Sequence, residues 1–95
     1  MAKKHNSIRI DPKDNVAVAV EDLKKEQEII VGGEGYGIKL KLEQDIPYAH
    51  KVALLDMEPD EKIIKYGEVI GVATKHIKAG EHVHEHNILG IRGKR

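Results

Sequence analysis

Apolar residues along this chain recur in short runs with a period of two. Val16, Val18 and Val20 alternate with Ala17 and Ala19. Both faces of that segment are apolar, which predicts a strand buried on both sides. Ile38, Leu40 and Leu42 alternate with Lys39 and Lys41, the pattern of a strand with one wet face. Residues 52–55 and 69–73 predict further core strands, and Val83 to Leu89 a last one. Gly32, Gly33, Gly35 and Gly37, with Asp45 and Pro47, punctuate the runs. Regular strands between turn signals predict a compact all-β domain, mainly β with short helical turns. A helix over Val20–Gln27 is also compatible with the pattern. The glycine-rich stretch 32–37 reads as a flexible hairpin or loop. It lacks the Lys-Ser/Thr pair and helix start of a phosphate loop, and Glu34 would repel a phosphate.

A short repeat is legible within this pattern. Leu23-Lys24-Lys25-Glu26-Gln27-Glu28-Ile29 aligns without gaps on Met57-Glu58-Pro59-Asp60-Glu61-Lys62-Ile63 and on Ile77-Lys78-Ala79-Gly80-Glu81-His82-Val83. Each copy is an apolar residue, a four-residue polar turn and an apolar strand start. Gly80 stands where such a turn often needs positive φ, and Glu26 and Asp60 occupy the same place in the other copies. Three similar corners of one compact fold are predicted. The copies are too few and too unevenly spaced for a solenoid.

With 95 residues, the chain has length for one domain with a thin core. Residues 1–7 read as a flexible N-terminus, 8–90 as the folded domain and 91–95 as a basic tail. Sixteen basic and sixteen acidic residues cancel, giving no support to nucleic-acid binding, which usually shows a basic excess. The absence of Cys excludes disulfides, thiolate metal sites and thiol nucleophiles. No apolar run approaches a membrane span, and no hydrophobic region follows the basic start, so a cytoplasmic location is expected. One Ser and one Thr leave little scope for a self-contained serine hydrolase. Three Tyr, with no Trp or Phe, leave little for aromatic stacking on sugars or bases.

Candidate chemistry lies in three places. His82, His84 and His86 sit at i, i+2 and i+4, so on a strand they project from one face. Neighbouring imidazoles can converge on one metal ion, with His50 as a further ligand; a row of partly exposed histidines explains the spacing equally. His50 and Lys51 follow Pro47 at a loop-to-strand junction, where His can act as acid or base and Lys can neutralise a carboxylate. They also read as surface residues. In Lys65-Tyr66-Gly67, Gly67 permits close backbone approach, and Tyr66 reads as a core aromatic or as a site residue. Asn87 could cap a turn or orient His86.

The segments Asp14-Asn15-Val16-Ala17-Val18-Ala19, Ile46-Pro47-Tyr48-Ala49-His50-Lys51, Ile64-Lys65-Tyr66-Gly67, Ile70-Gly71-Val72-Ala73-Thr74 and Gly80-Glu81-His82-Val83-His84-Glu85-His86-Asn87, in this order, resemble the SAF-type N-terminal region of the altronate/galactarate dehydratase family. The resemblance implies a SAF (β-clip) fold and a lyase function. Such enzymes eliminate water from a hydroxy acid, as in conversion of altronate to 2-keto-3-deoxygluconate. Sulfolactate sulfo-lyase, which expels sulfite, has a similar small subunit encoded as a separate chain. The resemblance also implies a divalent metal (Fe2+ or Mn2+) for the holoenzyme and a large dehydratase subunit as partner. The chain is then an accessory subunit, inactive alone, with His84, His86 and His50 as metal ligands. His50, Lys51, Lys65 and Tyr66 are its catalytic or substrate-facing groups. A non-catalytic sugar-acid-binding or assembly module is the reading from a different class, and a homo-oligomer is compatible with either. Two departures stand out: Ala49 replaces the family's usual Gly, and the turn Gly is missing at Glu26 and Asp60.

Overall fold

The computed structural model describes residues 5–33 and 38–90. They form nine strands: β1 (Ser7–Arg9), β2 (Val16–Ala19), β3 (Glu28–Gly33), β4 (Ile38–Lys41), β5 (Lys51–Ala53), β6 (Lys62–Lys65), β7 (Glu68–Ala73), β8 (His82–Val83) and β9 (Ile88–Gly90). The all-β expectation holds. Among the described residues there is no helix, neither the short helical turns nor the one over Val20–Gln27, because that segment is a β-bridge followed by a tight turn. Among the described residues, no helix is long and apolar enough to cross a membrane.

Six strands form one sheet in the order β4-β3-β1-β2-β5-β8, and three form another in the order β6-β7-β9. β1 pairs parallel to β3 and antiparallel to β2. Asn6 and Ser7, at the end of the segment read as a flexible start, take part in bonds to β2 and β3 or their flanks. The Asn6 side chain accepts the Ile30 N–H, and Ser7 is fully buried. Residues 1–4, residues 34–37 of the stretch read as a hairpin or loop, and residues 91–95, read as a basic tail, lie outside the described residues.

The corners organise everything else. The structure has four of them, not three: Ile46-Pro47-Tyr48-Ala49-His50 is the fourth. They pair two by two through the bridges Leu23↔Ile46 and Met57↔Ile77. In each corner the fourth residue is left-handed: Glu26 (φ 76), Ala49 (φ 72), Asp60 (φ 75) and Gly80 (φ 91). That conformation aims its N–H at a carbonyl of the partner segment: Glu26 at Leu42, Ala49 at Ala19, Asp60 at Ala73 and Gly80 at Ala53. The N–H groups of Leu42, Ala19, Ala73 and Ala53 then donate back to the carbonyls of Gln27, His50, Glu61 and Glu81. Asp22 and Asp45 complete the first pair reciprocally, accepting the Tyr48 and Lys25 N–H groups. Asp56 accepts the Ala79 N–H in the second. The fourth such bond is missing because Pro59 has no N–H to give, and there His76 stands in place of Asp. Of the four corners, the one at Gly80 requires Gly, since a Cβ there would collide with the Lys41 carbonyl.

Each corner pair seals one core. Leu23 and Ile46 pack with Ala17, Ala19, Ile29, Val31, Leu42 and Val52; Met57 and Ile77 pack with Val16, Ala53, Ile63, Ala73 and Val83. Val16 and Ala17, and likewise Val52 and Ala53, point into different clusters. β2 and β5 are thus the wall between two small cores, which is why their sequences are apolar on both faces.

Asp14 and Asn15 fasten the small sheet to the large one. Asn15 accepts the Ile64 N–H and donates to the Lys62 carbonyl. The Asp14 carboxylate, 4% exposed, accepts N–H groups from Tyr66, Gly67 and Asp11. Tyr66 and Gly67 form a two-residue hairpin tip with φ 59 and φ 75, the positive pair that such a tip requires. Asp14→Ala leaves three backbone donors without their acceptor. It is expected to lower unfolding free energy by about 3 kcal/mol, measured by urea denaturation. Ala49→Gly removes left-handed strain at a position with no compensating side-chain bond. It is expected to raise stability by about 1 kcal/mol in the same measurement.

Candidate functional site

Three of the four corners close on themselves through a side chain. Gln27 accepts the Lys24 N–H at 3.0 Å, Glu61 the Glu58 N–H at 2.6 Å, and Glu81 the Lys78 N–H at 3.0 Å. The fourth corner differs at both ends of this bond. Pro47 has no N–H to donate, and His50 stands where the others have Gln or Glu. The His50 side chain is therefore released from turn-closing. The signal was in the sequence, since residues 46–52 align on the other copies without a gap, and it was missed.

The β5–β8 register decides where the released imidazole goes. Val52 pairs with His82 and Lys51 with Val83 in an antiparallel ladder. Continued by one step on the same face, that register sets His84 across from His50 and His82 diagonal to it. The rings follow: His50 and His84 stack with centroids 4.2 Å apart, His50 and His82 at 5.0 Å, His82 and His84 at 5.5 Å. His50 Nδ1 lies 2.8 Å from His82 Nε2, a hydrogen bond with one proton between the two nitrogens. One nitrogen from each of His50, His82 and His84 falls within 4.8 Å of the others.

The single strand predicted over Val83–Leu89 is instead β8, a turn at residues 84–87, and β9. The turn is closed by Asn87, 3% exposed, whose side chain reaches back from its end to the segment at its start. Its Oδ1 accepts the His84 N–H at 2.9 Å and its Nδ2 donates to the His82 carbonyl at 2.8 Å. Gln44 accepts the His82 N–H from the neighbouring corner loop. Asn87 thus fixes His82 and His84 rather than His86. His86 is exposed and lies against His82 with centroids 5.2 Å apart.

Lysines border the imidazoles. Lys51, half-buried at the start of β5, has its pKa lowered by burial and then by the charge of Lys65. Lys65 holds its ammonium 4.9 Å from the Tyr66 ring centroid. Tyr66 is 60% exposed at the hairpin tip, so the core-aromatic reading does not hold: its backbone anchors the hairpin and its ring does not pack. The His82 pKa is lowered to about 4, first by burial, then by His50, His86, His84 and Lys51. His82 is therefore a neutral donor or acceptor at neutral pH. All of these perturbing side chains are cationic when charged, an arrangement suited to an anion or to a metal ion carrying one.

Comparison with known proteins agrees with this architecture. Residues 5–90 match the altronate/galactarate dehydratase SAF domain. The chain belongs to that family. It is 44% identical over 80 residues to altronate dehydratase of Escherichia coli and 38% identical over 80 residues to that of Bacillus subtilis. Each alignment covers 84% of this chain and 15% of the relative, so the SAF chain spans a small part of those enzymes. It is 33% identical to (2R)-sulfolactate sulfo-lyase subunit alpha of Chromohalobacter salexigens, covering 82% of this chain and 86% of that one.

The depressed His82 pKa makes stability depend on pH. In the unfolded chain His82 takes up a proton near pH 6.5, and in the fold only near 4. The unfolded state binds more protons in that window, so stability falls as pH drops from about 6.5 to about 4. Urea midpoints of the metal-free chain should show this decline, and His82→Gln should make it shallower.

Proposed function

We propose that this SAF chain is the small subunit of a hydroxy-acid lyase of the altronate dehydratase type. It supplies one wall of a site completed by a separate large subunit. The observation that carries this reading is Lys51: an ammonium half-buried beside a second lysine and a histidine cluster, a combination that an incoming carboxylate relieves. Elimination from a sugar acid removes the proton α to a carboxylate and expels a β-hydroxyl. Lys51 and Lys65 hold the carboxylate and oppose the negative charge that develops on it. His50, hydrogen-bonded to His82 when no ion is bound, belongs to the edge of the chain that faces the substrate. Tyr66, exposed beside Lys65, offers its hydroxyl to a substrate hydroxyl. The divalent ion implied by the resemblance fits the nitrogens of His50, His82 and His84, and bound there it would supply Lewis-acid stabilisation of the enolate charge. A cytoplasmic site of action is part of the same proposal.

The second reading is the small subunit of a sulfolactate sulfo-lyase, favoured by the 86% coverage of that subunit's length. Both substrates present a carboxylate, and the leaving group distinguishes them. Reconstitution with an altronate-dehydratase-type large subunit, assayed on altronate and on (2R)-sulfolactate, tests both. Altronate turnover is expected, with Lys51→Met and His50→Ala each lowering kcat/KM about 100-fold. Wild-type activity in both variants would remove the site from the reaction. Turnover of sulfolactate alone would transfer the assignment to the second reading.

A further inference from the structure

We infer that His50, His82 and His84 form a binding site for a borderline first-row divalent ion, of the class of Fe2+, Co2+, Ni2+ and Zn2+, assembled within this chain alone, and that Asn87 is its positioning residue. The inference rests on the lyase reading only for its biological use; the site itself stands on this chain's geometry.

Four observations support it. The three ligand nitrogens already lie within 4.8 Å of one another. The closest pair, at 2.8 Å, needs to open only modestly, since ions held at about 2.0–2.1 Å by two imidazoles place the nitrogens about 3.3 Å apart. His50 is freed by the Pro47 and His50 replacements in a corner whose three counterparts close on themselves. Asn87 holds the backbone on both sides of Val83, so His82 and His84 reach the site from a fixed frame.

The donors decide the class of ion. Imidazole suits zinc, nickel, cobalt and iron(II), whereas magnesium, calcium and manganese favour carboxylate, carbonyl and water oxygens. This triad has no carboxylate, and Lys51 acts on His82 from beside it. Hard ions thus lack the anionic oxygens they need. Of the two ions implied by the resemblance, the site favours iron(II) over manganese(II). His86 lies against His82 but is exposed, beyond the three nitrogens that converge.

The test is calorimetric titration of the full, metal-free chain with Ni2+, Zn2+, Mn2+ and Mg2+, with Co2+ absorption as a spectroscopic check. One Ni2+ per chain is expected, with Mn2+ bound about 100-fold more weakly or less and no Mg2+ uptake. His50→Ala, His82→Ala and His84→Ala should each weaken Ni2+ about 100-fold, and His86→Ala less than about fivefold. Asn87→Ala should weaken it about 10- to 100-fold and alter the Co2+ spectrum. Asn87→Asp keeps the acceptor for the His84 N–H and should recover most of that loss. If Asn87→Ala fails to fold by circular dichroism, Gln44→Ala, which frees the His82 N–H at an exposed site, replaces it with a smaller loss in the same direction. Absence of Ni2+ binding to the folded wild-type chain, equal affinity for Mn2+, or equal losses in His86→Ala and His82→Ala would overturn the assignment. No large subunit enters this assay. A failed titration therefore leaves the lyase reading intact, and an inactive reconstituted enzyme that still binds Ni2+ leaves this site intact.

Discussion

The left-handed residue of each corner is the interaction on which the structure depends. An N–H group turned outward at Glu26, Ala49, Asp60 or Gly80 reaches a carbonyl on the partner segment, and the partner returns a bond to the end of the same corner. These reciprocal bonds substitute for long strands. Most strands here have three or four residues, too short to hold a sheet by their ladders alone. Three of the four positions carry a non-glycine residue, so each accepts roughly 1 kcal/mol of backbone strain. The strain persists because the two cores beneath the bridges over-determine the geometry.

A fold built from four near-equivalent corners can vary one of them without disturbing the rest. The corner at residues 46–50 keeps its bridge, its left-handed residue and its backbone bonds, and gives up only the side-chain closure. That exchange frees a turn-closing position to place its imidazole against His82 and His84. β5 runs directly from it through the wall between the cores, with the imidazole on one side and the Lys51 ammonium at the strand start. Asn87 does the complementary work on β8. The candidate site therefore stands on paired backbone and not on a free loop, which suits groups that must be held before a ligand arrives.

Much of this was legible in the residues. Period-two alternation gave the half-exposed β4 and the two-faced β2, because side-chain direction in a strand is a local property. The turn repeat gave three of the four corners and placed the positive-φ positions correctly. His82 and His84 on one face followed from their spacing. Asp14-Asn15 was visible as a motif, but its partners at Lys62, Ile64, Tyr66 and Gly67 are about fifty residues away, and nothing local names them. The core-aromatic alternative for Tyr66 failed for the same reason: whether an aromatic ring packs depends on what its hairpin faces.

What the sequence determined by itself is an all-β domain with repeated corners, a histidine-rich last segment and a His-Lys pair at a strand start. Tertiary structure alone decided that corners pair two by two. It decided that His82 rather than His86 joins His50 and His84, and that Lys51 lies near enough to Lys65 and His82 to perturb both itself and the imidazole. The division has one physical cause. Turn propensity and strand alternation are fixed by neighbours in the chain, whereas strand register and the charges that share a site are fixed by backbone bonds between segments thirty to fifty residues apart.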